Sequence, residues 1–278
     1  MPEGDSIFRA ARSLHRVLAG HAVTRFDTAY AHLDRVNVDT PIVGRTVEKC
    51  GSVGKHLLIW FSGDLILRTH MRMNGSWHLY RHGERWWRGE QMMRVRIDTA
   101  GWVAVAFNVP VAEFVTPKDL ATRDPVAELG PDLLGEQFDR DEAMRRIVTS
   151  GHRAIAPTLL DQRIVAGIGN VYKSEVLFLS GVHPETPSSA VPLPVLERMM
   201  DIARGLLRDN VIEGTSPSIQ TFRNLRQWNP ASEHDESLWV YGRRGKPCRK
   251  CGTPIENKKM GLEARSTYWC PRCQPLRP

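Results

Sequence analysis

The chain has 278 residues, of which 41% are hydrophobic and 25% charged, and carries a formal net charge of +7 with a pI near 9.4. Its length can bury a real core and accommodate one to three domains, its composition excludes a disordered chain, and it has no run of eighteen or more apolar residues that would cross a membrane as a helix. The basic balance favours an anionic partner, nucleic acid first.

The chain opens "MPEGDSIFRAARSLHRVLAG". The segment is charged throughout and lacks the apolar centre of a secretory signal, so a cytosolic protein is expected. Ile7, Phe8, Ala11, Leu14, Val17 and Leu18 recur at helical spacing. The spacing predicts a helix over about 6–19, capped by Asp5 or Ser6 and stopped by Gly20. Removal of Met1 would leave Pro2 with a free secondary amine, a nucleophile able to form a Schiff base with a sugar aldehyde. Taken alone, the ordinary reading of Pro2 and Glu3 is a ragged end.

From there to about Phe114 the chain reads mostly as strands. "KHLLIWF", "DLILRTHM", "SWHLYR", "MRVRI" and "WVAVAF" are short and separated by Gly, Ser, Asp or Asn, which points to a β-sandwich or barrel. Cys50 is read as a small semi-buried residue with no assigned role. "TPKDLATRDPVAELGPDLLGE" is a Pro- and Gly-punctuated connector that marks a domain boundary. Helical periodicity follows in "DRDEAMRRIVTS", "IAPTLLDQRIVAG", "NVYKSEVLFLSG" and "PLPVLERMMDIARGLLRDNV". Within this run, "AGIGN" breaks two helical halves. Its glycines allow close approach, Asn170 can cap the next helix, and a helix N-terminus can take a phosphate; a tight interhelical turn is the plain alternative. Residues 212–236 are polar and irregular and read as a mobile loop.

The C-terminal end holds four of the five cysteines, Cys248, Cys251, Cys270 and Cys273, as two C-x-x-C pairs eighteen residues apart. In a reducing compartment this spacing is the ligand set of a tetrahedral zinc site, structural because four thiolates leave no open position. Between Arg243 and Pro278 there are ten Lys or Arg against two Glu. That concentration favours a zinc ribbon that touches phosphate over one that only mediates protein contacts.

"MPEG", "GKHLL", "HMRMNGSW", "GPDLL", "LLDQRIVAGIGNVYKSEVLF", "VYGRRGKPCRKCG" and "RSTYWCPRCQ" occur in this order. Together they resemble the formamidopyrimidine-DNA glycosylase and endonuclease VIII family of DNA repair enzymes. The resemblance covers nearly the whole chain and is weakest over 21–50, 80–115 and 212–236. It implies an α+β multidomain fold: an N-terminal β-sandwich with a flanking helix over 1–126, a helix–two-turn–helix domain over 127–236, and a four-cysteine zinc finger on a β-hairpin over 237–274. It implies a bifunctional glycosylase and abasic-site lyase that acts on damaged DNA as a monomer, with structural zinc and no organic cofactor. Pro2 matches the Schiff-base nucleophile and Glu3 the general acid. Lys55 matches the hairpin lysine that assists β-elimination and binds phosphate, and Arg265 the zinc-finger arginine that grips the phosphate near the lesion and assists δ-elimination. Asn170 matches a phosphate contact. Arg72 and Met73 lie in the loop that fills the gap left by a flipped base, with Met73 as the wedge; strand packing is the alternative for Met73.

The chain also departs from the family. Asp5 and Ser6 replace a Pro-Glu pair, which is expected to remove a second carboxylate near the nucleophile. "FNVPVAEF" stands where the oxidised-purine branch carries an Arg and a Phe wedge, so oxidised pyrimidines are the expected substrates. Glu128 replaces a DNA-binding Arg, and the turn in "NKKMGLEARST" looks long enough to displace Arg265. The rival readings are an oxidised-purine glycosylase and a catalytically weak DNA-binding protein on the same scaffold.

Overall fold

A computed structural model describes residues 2–212, 219–222 and 237–276. The chain forms two compact units, Met1–Glu128 and Leu129–Pro278.

In the first unit, helix α1 (Gly4–Leu18) precedes eight strands. These are β1 (Arg25–Thr28), β2 (Val47–Val53), β3 (His56–Phe61), β4 (Leu65–His70), β5 (Ser76–Tyr80), β6 (Met93–Asp98), β7 (Val103–Phe107) and β8 (Val111–Val115). They make two four-stranded antiparallel sheets, ordered β1-β6-β7-β5 and β2-β3-β4-β8. Leu57, Ile59, Phe61, Leu65 and Leu67 of one sheet meet Val95, Ile97, Ala104 and Ala106 of the other in a single core. Their two-residue period is that of strands with one face on the core. Helix α1 packs on β2 and β3 and adds Ile7, Ala11, Leu14 and Leu18 to the same core. Burying Ile7, Leu14 and Leu18 contributes roughly 2 kcal/mol each, which holds the start of the chain to the sandwich.

Helix α1 starts two residues earlier than its periodicity predicts. Ser6 is not its cap but its third residue; the Ser6 hydroxyl accepts from the Glu3 N–H at 2.8 Å, and Glu3 is the N-cap. Two short helices escape the sequence pattern. In α2 (Ala31–Asp39) only Leu33 is buried, so no apolar stripe exists to detect. Helix α3 (Pro117–Thr122) lies in the connector; Thr116 accepts from the Asp119 N–H, and Pro117 opens the first turn.

The second unit holds α4 (Arg140–Thr149), α5 (Ile155–Leu160), α6 (Asn170–Ser180) and α7 (Leu193–Val211), then a hairpin of β9 (Glu256–Met260) and β10 (Arg265–Trp269). Helix α5 is shorter than the helical pattern, which extends to Gly167. Asp161 ends it because its carboxylate accepts from the Arg163 N–H, a local bond that competes with the helix. Almost every residue of α6 is buried, and it forms one core with Leu133, Ile155, Leu159 and the inner face of α7. Gln274 fastens the end of the cysteine module to this core by donating to the Val182 carbonyl at 2.8 Å. No helix among the described residues is long and apolar enough to cross a membrane. Most of the irregular segment 212–236 lies outside the described residues, as does Met1.

Candidate active site and nucleic-acid interface

Pro2 is half-buried and leads into α1 through Glu3, whose backbone is extended at φ −121° and ψ −174°. The Glu3 and Asp5 side chains are both buried at this helix end. The expected loss of a second carboxylate is therefore corrected. Asp5 brings one into the first turn, 3.6 Å from the Arg9 guanidinium, while the Ser6 hydroxyl accepts from the N–H of the N-cap Glu3. An acidic residue in the first turn also suits the positive end of the helix dipole.

Lys55 and Gly54 (φ +56°) form the two-residue turn between β2 and β3, the strands on which α1 packs. The charge of Lys55 reaches His70 at the end of β4. Burial first, then Lys55, Arg72 and Arg68, bring His70 down to about 4. After His70 the chain makes a tight turn over 71–75. The Arg72 N–H donates to His70 Nδ1 at 3.1 Å, Arg72 sits at φ +47°, and the Gly75 N–H donates to the Met71 carbonyl at 2.9 Å. A Cβ on Gly75 would collide with that carbonyl, so glycine is required. With Met71 buried beneath it, the turn leaves Met73 52% exposed. Lys55, Arg72 and Met73 are thus brought to one end of the sandwich. A buried arginine stiffens the adjoining sheet: Arg68 contacts His56 Nδ1 at 3.1 Å, Asp124 at 2.6 Å and Glu113.

In the second unit the "AGIGN" turn is closed by one amide. Gln162 donates to the Leu160 and Ile168 carbonyls at 2.9 and 3.0 Å and accepts from the Gly167 N–H at 3.1 Å. Gly167 sits at φ +107°. The "GPDLL" segment packs on this turn, and a Cβ on Gly130 would collide with the Ile164 carbonyl. Asn170, which the sequence pattern offers as the cap of α6, does not cap it. Gly169 is the N-cap, and Asn170 is the first helical residue, buried, with its Oδ1 accepting from Lys173 Nζ at 2.7 Å.

Lys173 is absent from the sequence-based candidates. It is fully buried, and its ammonium also donates to the Ser266 carbonyl at 3.1 Å and to Thr267 Oγ1 at 2.8 Å. It therefore ties Asn170 to the two residues that follow Arg265. Glu175 is a second missed group. Its buried carboxylate accepts from the N–H groups of Trp239, Val240 and Tyr241 at 2.8–2.9 Å, and so docks the segment that enters the cysteine module. The only sequence signal for either was a charge inside an otherwise apolar helix.

Arg265 opens β10, paired with Met260 across a four-residue turn. Its guanidinium rests on the exposed Glu263, Nε at 2.8 Å and Nη2 at 2.7 Å from the carboxylate. The four cysteine sulfurs lie within 4.8 Å of one another, with Cys248–Cys273 at 3.9 Å and Cys251–Cys270 at 3.4 Å. Zinc–thiolate bonds of about 2.3 Å in a tetrahedron place sulfurs about 3.8 Å apart, so the donor set fits zinc. N–H groups of Lys250 and Cys273 also point at ligand sulfurs. Burial and the neighbouring thiols push Cys273 up, so a cation is needed to hold all four as thiolates. Cys50 is apart from this cluster, in the core of the first unit, where burial raises its thiol to about 12.

Residues 1–110 match the N-terminal domain of formamidopyrimidine-DNA glycosylase, 129–222 its H2TH domain, and 245–276 the zinc finger found in that enzyme and in isoleucyl-tRNA synthetase. The probable endonuclease 8 2 of Streptomyces coelicolor is 39% identical over 280 residues, covering 99% of this chain and 94% of that protein. The chain belongs to the formamidopyrimidine-DNA glycosylase and endonuclease VIII family. The DNA-(apurinic or apyrimidinic site) lyase Nei2 of Mycolicibacterium smegmatis is 34% identical, covering 99% of both chains. The fold is that of the Lactococcus lactis family member solved with abasic-site DNA: TM-score 0.81, 24% identity, 99% of this chain and 100% of that one. The family's zinc finger accounts for the clustered cysteines, and its fold for the sandwich and the two-turn segment.

Proposed function

We propose that the protein is a bifunctional DNA glycosylase and abasic-site lyase that removes oxidised pyrimidines, with Pro2 as nucleophile. One observation carries this reading. Pro2 and a buried Glu3 are held at the start of a well-anchored α1, in a chain related along its whole length to an endonuclease 8. Removal of Met1 frees the Pro2 amine, and the positive end of α1 disfavours an ammonium there. The amine attacks C1′ of the damaged nucleotide as the bond to the base breaks. Glu3 gives a proton to the ring oxygen as the sugar opens, leaving an iminium. The iminium draws electrons from C2′; loss of that proton expels the 3′ phosphate, and a second elimination expels the 5′ phosphate. Lys55 assists the first elimination, and Arg265 and Asn170 hold backbone phosphates. Met73 fills the space of the extruded base, with Arg72 beside it.

The pyrimidine preference rests on the β7–β8 connection, Asn108–Pro110, which holds neither an arginine nor a phenylalanine. The enzyme acts as a monomer, and its affinity for DNA falls steeply with salt because phosphate contacts dominate. Sodium borohydride trapping on an abasic-site oligonucleotide tests the chemistry. Wild type should give a covalent band and Pro2→Gly little or none. No band from wild type with Met1 removed and zinc bound would mean a DNA-binding protein without the lyase step. Cleavage of thymine-glycol duplex should exceed that of 8-oxoguanine duplex; the reverse order would assign the enzyme to oxidised purines.

A further inference from the structure

Strands β5 and β6 both pair antiparallel with β7, so they run in the same direction: Ser76 and Met93 both face Phe107, and Tyr80 and Asp98 both face Val103. Residues 81–92, "RHGERWWRGEQM", must therefore travel back along the sheet. They do so over a small second core, in which Trp86 and Met93 cover Tyr80, Val103, Val105 and Phe107. The strap is pinned along its length. Arg81 stacks 3.7 Å from the Trp102 ring centroid and donates to the Gly101 carbonyl. His82 Nε2 lies 2.8 Å from the Thr99 carbonyl. The Trp87 N–H donates to the Tyr80 hydroxyl at 3.1 Å.

Trp87 is the exception. Its backbone is fixed, yet its side chain is 74% exposed. The His78 ring lies 5.4 Å to one side, and the Arg88 guanidinium stands 5.2 Å from its ring centroid. Arg88 reaches the Asn74 carbonyl at 3.5 Å, in the same tight turn that presents Arg72 and Met73. The platform is thus continuous with the Met73 turn. The acidic groups of the strap are Glu84, which accepts from the Arg81 N–H, and Glu90, whose charge acts on Arg96. Neither faces Trp87 in any contact the structure shows. An indole held outward on a rigid backbone beside a guanidinium suits an aromatic face attached to a negative charge, which is an unpaired nucleobase and its phosphate.

We propose that Trp87 and Arg88 form a stacking platform for an unpaired base of single-stranded DNA, beside the turn that carries Met73. The inference rests on the DNA-binding reading above and adds a preference within it. A paired base has no free face to offer, so the platform favours single strands and bubbles over matched duplex.

Fluorescence anisotropy with a labelled single-stranded 20-mer and with the matched duplex tests this on the full-length zinc-loaded protein. Trp87→Ala should weaken single-strand binding by roughly 5- to 150-fold, the range for loss of one base–aromatic stack, and duplex binding by less than about twofold. Trp87→Phe should restore most of the loss, and Arg88→Ala should weaken single-strand binding with a shallower salt dependence. Equal single-strand affinity of wild type and Trp87→Ala overturns the proposal, as does an equal loss on both substrates. Borohydride trapping by the same proteins separates this from failure of the functional reading. If wild type traps and Trp87→Ala binds single strands unchanged, only the platform is wrong. If wild type binds neither substrate, both fall.

Discussion

Replacing Lys173 with methionine separates folding from DNA contact. Methionine has similar length and no ammonium. The change takes a donor from Asn170 Oδ1, Thr267 Oγ1 and the Ser266 carbonyl. Each buried acceptor left without a donor costs about 1–3 kcal/mol. Against this, a buried ammonium no longer has to be stripped of water, a term of several kcal/mol in the opposite direction. The two nearly cancel, so stability should change by no more than about 2 kcal/mol. DNA binding has no such compensation. Asn170 loses its tether, and the backbone just beyond Arg265 loses its anchor. Immobilising each of the two freed groups on binding costs about 0.5–1.5 kcal/mol, so affinity for abasic-site DNA should fall roughly 5- to 150-fold. Thermal unfolding and anisotropy titrations at two salt concentrations measure both quantities. In the double variant Asn170→Ala with Lys173→Met, the loss should be less than the sum of the single losses, because one change acts through the other. Affinity within twofold of wild type in Lys173→Met, while Asn170→Ala loses tenfold, would refute this reasoning.

Two further expectations concern protons and metal. His56 and His70 are held at about 3 and about 4, against an ordinary 6.5, with burial the largest cause for each. The unfolded chain takes up these protons first, so stability is unaffected above pH 6.5. It falls by at most about 1.4 kcal/mol per pH unit for each histidine as the pH drops from 6.5 toward 4. Urea titrations at pH 7, 6 and 5 should show that slope, and His70→Gln should flatten it; an unchanged slope assigns the acid sensitivity elsewhere. For the cysteines, metal analysis should find one zinc per chain, lost in Cys273→Ser and retained in Cys50→Ser. Loss of zinc from Cys50→Ser would contradict the assignment of ligands.

What was legible in the sequence was what leaves a local mark. The C-x-x-C pairs, the apolar stripe of α1 and the period-two strands each follow from a physical repeat that a reader can count, and the order of motifs supplied the family. The misses have a different cause. Lys173 and Glu175 are buried charges most of whose partners lie more than sixty residues away, at Ser266 and Thr267 and at Trp239–Tyr241. No window on the sequence contains both ends of such a bond. The position of Asn170 has a related cause. An asparagine after glycine reads as a cap, but Lys173 holds its amide and Gly169 takes the cap position.

The strap over β5 and β7 shows the same limit from the other side. "RHGERWWRGEQM" reads as a loop with two tryptophans, and nothing local says that one will be covered and the other left out. The difference is set by register. Because β5 and β6 flank β7 in the same direction, the connection must lie on the outer face of the sheet. Trp86 falls where Tyr80 and Phe107 need a lid, and Trp87, one residue on, stands mostly exposed beside His78. Adjacent residues with the same side chain thus receive opposite roles from a pairing that involves neither. Trp86→Ala should lower the unfolding temperature by opening the second core, with a loss of about 2–3 kcal/mol because the ring is only partly buried, whereas Trp87→Ala should leave stability within about 1 kcal/mol of wild type. Equal destabilisation by the two would mean that Trp87 is also part of the packing, and its outward position would then carry no functional meaning.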